Sequence, residues 1–504
     1  MNLKRREFHR LSLLAAGSLL ARGAVAAKND IAELYDSADA TAMAEHVRSG
    51  AVSAMELLDE AMRRTEQVNP RINAVSMEHY ELARESISSG LPKGPFTGVP
   101  FLLKDLGLSL AGTVTTHGSR LHEGRVAQST SLLVQRYQRA GLVIFGKTNT
   151  PEFGLALTTE NLFLGDCLNP WNTDHSTGGS SGGAAAAVAA GILPMAHATD
   201  GGGSIRVPAN HCGVFGFKPT RGRTPGASAA AMSIGHTVSR SVRDSAAMLD
   251  ATAGYEPGAP FGLLPRGEGF LAASKRPPGK LRVALNLTVP EVEIHPDCHR
   301  AVLDTAKLLQ QMGHQVEEAA PALDYERLNE VQNILMATGV ATMLRRIESA
   351  RGKVVAPPEI EPMTEMVRRA VSEWTQYDYA QALGEMHGIG RTMGNFLTGY
   401  DVILQPVTAT PAPGLGEINY QAGDDLETYT RRFKRVSAFT HLYNMAGQPS
   451  MSLPLAMSQQ GLPIGVMLSG RVGDDALLYS LAGQIEQAQP WAGRRPPIYA
   501  GAEG

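Results

Sequence analysis

Two glycine-rich segments, each containing serine, constrain this sequence most strongly. The first reads G-G-S-S-G-G over 178–183, the second reads T-D-G-G-G-S-I-R over 199–206, and an alanine-rich run lies between them. Glycine has no Cβ, so it adopts positive φ and lets other atoms come close to main-chain N–H groups. Several such N–H groups together can stabilise a developing oxyanion. The two segments therefore predict a site in which a serine attacks a substrate held by the backbone.

The composition is that of a globular protein without a basic surface. The chain has 504 residues, of which 43% are hydrophobic and 19% charged, and its formal net charge is -3. This charge argues against a nucleic-acid partner. Cys167, Cys212 and Cys298 are too few for a disulfide framework and have no zinc-site spacing, so they are interpreted as small apolar residues. No residue pattern indicates a metal or an organic cofactor.

The N-terminus, residues 1–27, has the features of a signal peptide. A basic segment contains the pair Arg5 and Arg6, the apolar run 11–20 follows, and small residues then supply a cleavage pattern. The arginine pair is typical of the twin-arginine type. The apolar run is too short to span a bilayer of about 30 Å, so no stable membrane insertion is expected after cleavage. The sequence thus predicts export of residues 28–504 to the periplasm.

The rest of the chain predicts an α/β fold. Short apolar runs bounded by glycine or proline are typical of buried strands, and helical patterns such as 132–140 lie between them. The runs occur at 98–105, 141–146, 194–198, 281–285, 402–405 and 451–455. This alternation predicts one domain with a large mixed, mainly parallel sheet covered by helices on both faces. The stretch 330–395 is interpreted as a helical cap that shapes substrate access.

Lys104 ends the apolar run 98–105 and has two interpretations. A lysine after an apolar strand is commonly a surface residue whose stem packs on the protein. If it is buried instead, the loss of solvation disfavours its charged form, and the neutral amine can act as a base near pH 7.

The first glycine-rich segment, taken alone, also matches another kind of site. Residues 178–182 read G-x-S-x-G, the turn that carries the nucleophile of α/β-hydrolases, with Ser180 as nucleophile and a histidine such as His387 or His441 as base. Such a turn follows a buried strand, yet 169–175 is polar and loop-like, and an isolated match is often a plain turn. Four histidines near the motifs are interpreted as structural. They are His117, His175, His197 and His211.

A series of motifs in order makes the chain resemble the amidase signature family. They are G-V-P-F-L-L-K-D around Lys104, G-K-T-N-T-P-E, N-P-W-N, the two glycine-rich segments and C-G-V-F-G-F-K-P-T, all within about 98–225. N-P-R-I-N-A-V precedes them, and A-G-Q-P-S-M-S-L-P and G-L-P-I-G-V follow. Within the family, N-P-W-N and the tail P-W-A-G-R-R-P-P are most similar to the 6-aminohexanoate cyclic dimer hydrolase branch. The resemblance implies the amidase signature fold over 28–504.

The resemblance also implies a Ser-cisSer-Lys catalytic triad. Ser204 is then the nucleophile, and Ser180, on a cis peptide, passes its proton to neutral Lys104. The backbone N–H groups of Ser204 and of three glycines would form the oxyanion hole. These glycines are Gly201, Gly202 and Gly203. Three further residues are expected to support the loops rather than to react. They are Ser181, Asp200 and Arg206.

The activity predicted from this triad is hydrolysis of a carboxylic amide to an acid and an amine or ammonia, through acylated Ser204. The same path admits an ester, a carbamate or an aryl acylamide as substrate. A non-catalytic periplasmic binding protein is a further alternative, whereas the export signal argues against an amidotransferase subunit acting on tRNA. The substrate pocket is expected between 153–164, the helical stretch after Asn329 and the loop around His441. Both a monomer and a homodimer remain open.

Overall fold

The structure is a computed structural model that describes residues 31–226, 232–262, 268–421 and 423–501. The predicted signal peptide, 1–27, lies outside the described residues. Within those residues, no helix combines the length and the apolar character that crossing a membrane requires.

In the described part of the chain, eleven strands form two sheets. In chain order they are β1 (Val75–Glu78), β2 (Pro100–Lys104), β3 (Val143–Thr148), β4 (Met195–Asp200), β5 (Phe215–Lys218), β6 (Ile234–Ser239), β7 (Arg282–Leu285), β8 (Gln315–Glu318), β9 (Val402–Pro406), β10 (Ser450–Met457) and β11 (Pro463–Gly470). The smaller sheet has the order β1-β3-β2, and the larger has the order β4-β6-β5-β10-β11-β9-β7-β8. All six predicted strands are present, and the α/β class with a large mixed sheet is confirmed.

The direction of the strands differs from the prediction of a mainly parallel sheet. In the larger sheet only β7 pairs in parallel, with β8 and β9, while the other described pairs are antiparallel. On β9, Val402 and Leu404 join one apolar cluster and Ile403 joins another, so both faces of the strand are covered. A strand covered on both faces is apolar throughout whatever its direction. The apolar runs therefore predicted burial correctly but could not reveal orientation.

Helices cover both faces of the sheets. Their described spans are 31–37, Ala40–Ser49, Ala54–Ile72, Tyr80–Ser88, Leu132–Arg139, Gly182–Ala189, Arg206–Cys212, Val242–Thr252, Phe270–Ala273, Pro296–Gln311, Tyr325–Arg351, Pro362–Ser372, Gln376–Phe396, Leu426–Ser437, Leu442–Met445 and Asp475–Ala488. The stretch interpreted as a cap consists mainly of the three helices Tyr325–Arg351, Pro362–Ser372 and Gln376–Phe396. Side chains of the first and third pack in the apolar cluster that contains Ile403.

The alanine-rich helix Gly182–Ala189 connects the two glycine-rich segments through the protein interior. Its small side chains are almost all fully buried, and its backbone comes so close to the β3 end that an added Cβ on Gly183 would lie 2.4 Å from the Asn149 nitrogen. The chain then returns along β4, which ends where the second segment begins. The Lys104 N–H of β2 donates to His197 Nδ1 of β4 at 3.1 Å. The two sheets thus meet edge to edge, with the end of β2 beside β4.

Candidate active site

Lys104 lies in the interior at the end of β2. Its side chain is fully buried, and its Nζ lies 2.7 Å from Ser180 Oγ and 2.9 Å from Thr199 Oγ1. Burial lowers the pKa of Lys104 well below its ordinary value, although the nearby Asp200 carboxylate opposes this shift. The interpretation of Lys104 as a surface residue is therefore wrong. A neutral amine in this place has a lone pair that can accept a proton.

The first glycine-rich segment presents Ser180 to this amine. The Gly179–Ser180 peptide is cis, and the Ser180 carbonyl accepts a hydrogen bond from Thr150 Oγ1 at 2.8 Å. Ser181 binds β4 through two hydrogen bonds of 3.2 Å, since its Oγ donates to the Thr199 carbonyl and accepts from the Thr199 N–H. Ser181 therefore links the first glycine-rich segment to β4.

Asp200 and Arg206 form a fully buried ion pair at the second segment. Two parallel hydrogen bonds of 2.9 Å join the guanidinium to the carboxylate, and Arg206 also donates to the Thr440 carbonyl at 2.8 Å and to Asn444 Oδ1 at 2.7 Å. Burial alone would raise the pKa of Asp200, but the charge and hydrogen bonds of Arg206 outweigh it and hold that pKa below its usual value. Because the Asp200 carboxylate and the Arg206 guanidinium are joined by two hydrogen bonds, this ion pair fixes the backbone of residues 200–206.

The structure corrects the expectation that Gly203 contributes to the oxyanion hole. Its N–H donates to Asp200 Oδ1 at 2.8 Å, so the carboxylate that anchors the segment already occupies this donor. Within the described residues, no protein acceptor lies at the N–H groups of Gly201, Gly202 and Ser204. Of these three residues, Gly201 and Ser204 line the cavity described below.

A cavity of about 500 Å³ opens onto both serines. Ser180, Ser204, Thr199 and Gly201 lie on one side of it. Much of the remaining described lining is apolar. It includes Leu106, Phe153, Met232, Leu335, Met336, Val340, Met343, Ile347 and Tyr379. No hydrogen bond joins Ser180 Oγ to Ser204 Oγ in the described part of the chain, although both residues face this cavity.

Two of the three expected pocket walls line this cavity. Phe153 comes from the segment 153–164, and most of the helical residues belong to Tyr325–Arg351. The third expectation is wrong for the described lining, because His441 lines a separate cavity of about 360 Å³. Thr199 is a contact of Lys104 that the sequence interpretation missed. Nothing local in the sequence indicates this contact, because the two residues are 95 positions apart in the chain.

An α/β-hydrolase esterase requires a histidine hydrogen-bonded to its nucleophile, and none of the described histidines has this position beside Ser180. His387 is exposed. His441 is buried with its Nδ1 donating to the Ser437 carbonyl at 2.6 Å, and burial lowers its pKa to about 4. Burial lowers the pKa of His197 to about 3. In the described residues, Ser180 Oγ is hydrogen-bonded to Lys104 and to no histidine.

The cysteines fit the apolar interpretation. All three are buried with free thiols, and burial raises the pKa of Cys167 to about 12. Within the described ranges, no group of three or more histidine, cysteine, aspartate or glutamate side chains has an arrangement that could hold a metal ion.

Comparisons with known proteins identify the family of this chain. The model of the Amidase family matches residues 56–479. A 6-aminohexanoate-cyclic-dimer hydrolase of Paenarthrobacter ureafaciens is 38% identical over 478 residues, which cover 91% of this chain and 96% of the relative. A solved 6-aminohexanoate cyclic dimer hydrolase superposes with a TM-score of 0.86 at 35% identity, covering 92% of this chain and 99% of that one.

A bacterial aryl acylamidase of the amidase signature enzymes gives a TM-score of 0.82 at 25% identity, covering 91% of this chain and 99% of that one. Both the resemblance drawn from the motifs and the expected fold are confirmed by these matches. The chain belongs to the Amidase family and is a hydrolase that acts on the carbon–nitrogen bonds of amides.

Proposed function

We propose that this enzyme hydrolyses a small carboxylic amide through an acyl-enzyme on Ser204. The observation that carries the proposal is the 2.7 Å contact between the buried Lys104 Nζ and Ser180 Oγ, in a cavity that Ser204 also lines. A serine hydroxyl is a weak nucleophile until a base removes its proton. Neutral Lys104 would take the proton of Ser180 as Ser180 takes the proton of Ser204.

Ser204 Oγ then attacks the amide carbonyl carbon. The carbonyl oxygen gains negative charge and is stabilised by the N–H groups of Gly201, Gly202 and Ser204, a type of contact whose loss costs about 3 to 4 kcal/mol. The C–N bond breaks as the proton returns from Lys104 through Ser180 to the leaving nitrogen. Water then cleaves the ester of Ser204 by the same relay. Hydrogen bonds of this kind are often long in a substrate-free site and shorten when the substrate binds.

The substrate class we propose is a linear or cyclic amide of an aminoalkanoic acid. Support comes from the 38% identity to a 6-aminohexanoate-cyclic-dimer hydrolase and from a structure of that type of enzyme solved with its substrate, which superposes with a TM-score of 0.86. The apolar lining would accept a methylene chain. An aryl acylamide is the second candidate, because Phe153 and Tyr379 line the cavity and an aryl acylamidase has the same fold.

Labelling with a fluorophosphonate tests the nucleophile. Peptide mass spectrometry of the labelled protein should place the adduct on Ser204, and Lys104→Met should abolish labelling. An adduct on Ser180 that survives Lys104→Met would contradict the proposal. A panel of cyclic and linear aminoalkanoic amides, aryl acylamides, carbamates and esters then ranks the substrate classes by kcat/KM, with Ser204→Ala as the blank.

We also propose that the protein is exported by the twin-arginine route to the periplasm. The support is the sequence of 1–27, with Arg5 and Arg6 before the apolar run. Replacing both arginines by lysine should leave full-length protein in the cytoplasm in cell fractionation. Mature protein in the periplasm despite this change would contradict the route.

A further inference from the structure

Among the described lining residues of the active-site cavity, Arg346 carries a charge. It lies near the C-terminal end of the helix Tyr325–Arg351 and lines the same cavity as Ser204, whereas the other described lining residues are apolar, hydroxyl-bearing or glycine. Its side chain is exposed to solvent. Within the described residues it has neither an ion pair nor a side-chain hydrogen bond, although many arginines of the chain are paired with carboxylates.

The helix places Arg346 on the face that lines the cavity. Met336, Val340, Met343 and Arg346 follow the three- and four-residue spacing of one helical face, and all four line the cavity. Met336 packs beside the second glycine-rich segment, since an added Cβ on Gly201 would lie 3.5 Å from Met336 Cε. The helix therefore runs from the reacting serine toward the arginine along one wall.

The helix also sets the distance between the two ends of this wall. Ten residues at a rise of 1.5 Å separate Met336 from Arg346 by about 15 Å along the axis. Arginine side chains in helices lean toward the helix N-terminus, which here is the direction of Ser204 and shortens the span. An extended chain covers about 3.5 Å for every three bonds, so a substrate group roughly ten bonds from the scissile carbonyl would meet the guanidinium.

We propose that Arg346 forms a subsite for a carboxylate of the substrate, with the apolar wall covering the chain between carboxylate and scissile amide. The proposal rests on the proposed amide hydrolysis at Ser204 and specifies its substrate class. A guanidinium binds a carboxylate through two parallel hydrogen bonds. The enzyme thus favours amides with an anionic end over neutral amides of the same length.

The test compares two chromogenic substrates that differ only at the far end. One is the mono-4-nitroanilide of decanedioic acid, whose carboxylate lies nine bonds from the scissile carbonyl, and the other is the 4-nitroanilide of decanoic acid. Wild-type enzyme should favour the carboxylated substrate in kcat/KM. Arg346→Gln should lower the ratio of the two kcat/KM values about tenfold, mainly through KM of the carboxylated substrate. Arg346→Lys should restore part of the preference, and Arg346→Glu should invert it.

Arg345→Gln is the matched control. Arg345 is the adjacent exposed arginine of the same helix but does not line the cavity, so its replacement should leave the ratio at the wild-type value. An equal change in Arg345→Gln and Arg346→Gln would indicate a general charge effect and overturn the subsite. An unchanged ratio in Arg346→Gln would overturn it as well.

A binding measurement separates failure of the subsite from failure of the proposed reaction. Calorimetry with Ser204→Ala should show tighter binding of the carboxylated anilide than of the neutral one, and this difference should disappear in Ser204→Ala/Arg346→Gln. If the carboxylated anilide binds more tightly than the neutral one but wild type releases no 4-nitroaniline, the reaction proposed for these amides fails and the subsite stands. If wild type cleaves both anilides without preference and binding does not discriminate, only the subsite fails.

Discussion

Replacing Lys104 by methionine tests the proton relay directly. Methionine has a similar length and no charge, so it fits the fully buried position without introducing an unpaired charge. Among the described residues, Lys104 is the titratable group hydrogen-bonded to Ser180 Oγ, at 2.7 Å. Loss of a general base costs about 10²- to 10⁴-fold in rate, or about 3 to 5 kcal/mol of transition-state stabilisation. Because no second base of the described residues is hydrogen-bonded to Ser180 Oγ, we expect kcat/KM of Lys104→Met to fall by an amount near the upper end of this range.

The dependence of kcat/KM on pH supplies a second signature. Because burial lowers the pKa of Lys104, the amine is neutral at a pH where an exposed lysine is charged. Protonation blocks it as a base, so wild-type kcat/KM should fall as the pH decreases through this lowered pKa. The fall should be absent from the residual activity of Lys104→Met.

The assay is steady-state hydrolysis of a 4-nitroanilide from pH 5 to 10, with folding checked by circular dichroism. The matched control is Lys147→Met on the adjacent strand β3, where a buried lysine donates to Thr115 Oγ1 instead of a serine. The folded fraction of the Lys147→Met protein should have a kcat/KM within a few-fold of the wild-type value. The reasoning is refuted if Lys104→Met keeps more than a tenth of the wild-type kcat/KM. It is also refuted if kcat/KM of Lys104→Met falls with decreasing pH in the same way as that of wild type.

Three further substitutions probe the residues around the triad. Asp200→Asn leaves the Arg206 charge buried without its partner and should lower the free energy of unfolding in urea by about 3 to 5 kcal/mol. Gly203→Ala places a side chain at φ +139°, so about 1 to 3 kcal/mol of strain should appear as a lower Tm. Thr199→Val removes the 2.9 Å contact of Lys104 Nζ and should lower kcat about fivefold, the effect of roughly 1 kcal/mol.

Asp200→Asn and Gly203→Ala each have a control, one on the surface and one in open space. Asp304→Asn removes an exposed carboxylate paired with Lys307 and should change stability by less than about 0.5 kcal/mol. Gly279→Ala adds a Cβ that meets no atom within 4 Å and should leave Tm unchanged. Asp200→Asn as mild as Asp304→Asn would contradict the anchoring role of the ion pair, and wild-type kcat in Thr199→Val would remove Thr199 from the positioning of the amine.

The local elements were predictable because their signals are local. Short apolar runs predicted β2, β3, β4, β7, β9 and β10, since a strand covered by helices must be apolar along its length. The alanine-rich run forms the helix Gly182–Ala189, whose small side chains allow its backbone to lie so close to β3. The motifs around Lys104, Ser180 and Ser204 identified the family before any contact was known.

The sequence by itself therefore indicated six of the eleven described strands, the family and the three residues of the proposed triad. Tertiary structure alone decided which groups meet. It joined the β2 end to the first segment, where Lys104 reaches Ser180 across 76 positions, and it placed Asn444 on Arg206 across 238 positions. It also paired the Gly203 N–H with the Asp200 carboxylate in a hydrogen bond, and it placed Arg346 at the cavity that Ser204 lines. Such contacts depend on distances between elements far apart in the chain, which the periodicity of one segment does not encode.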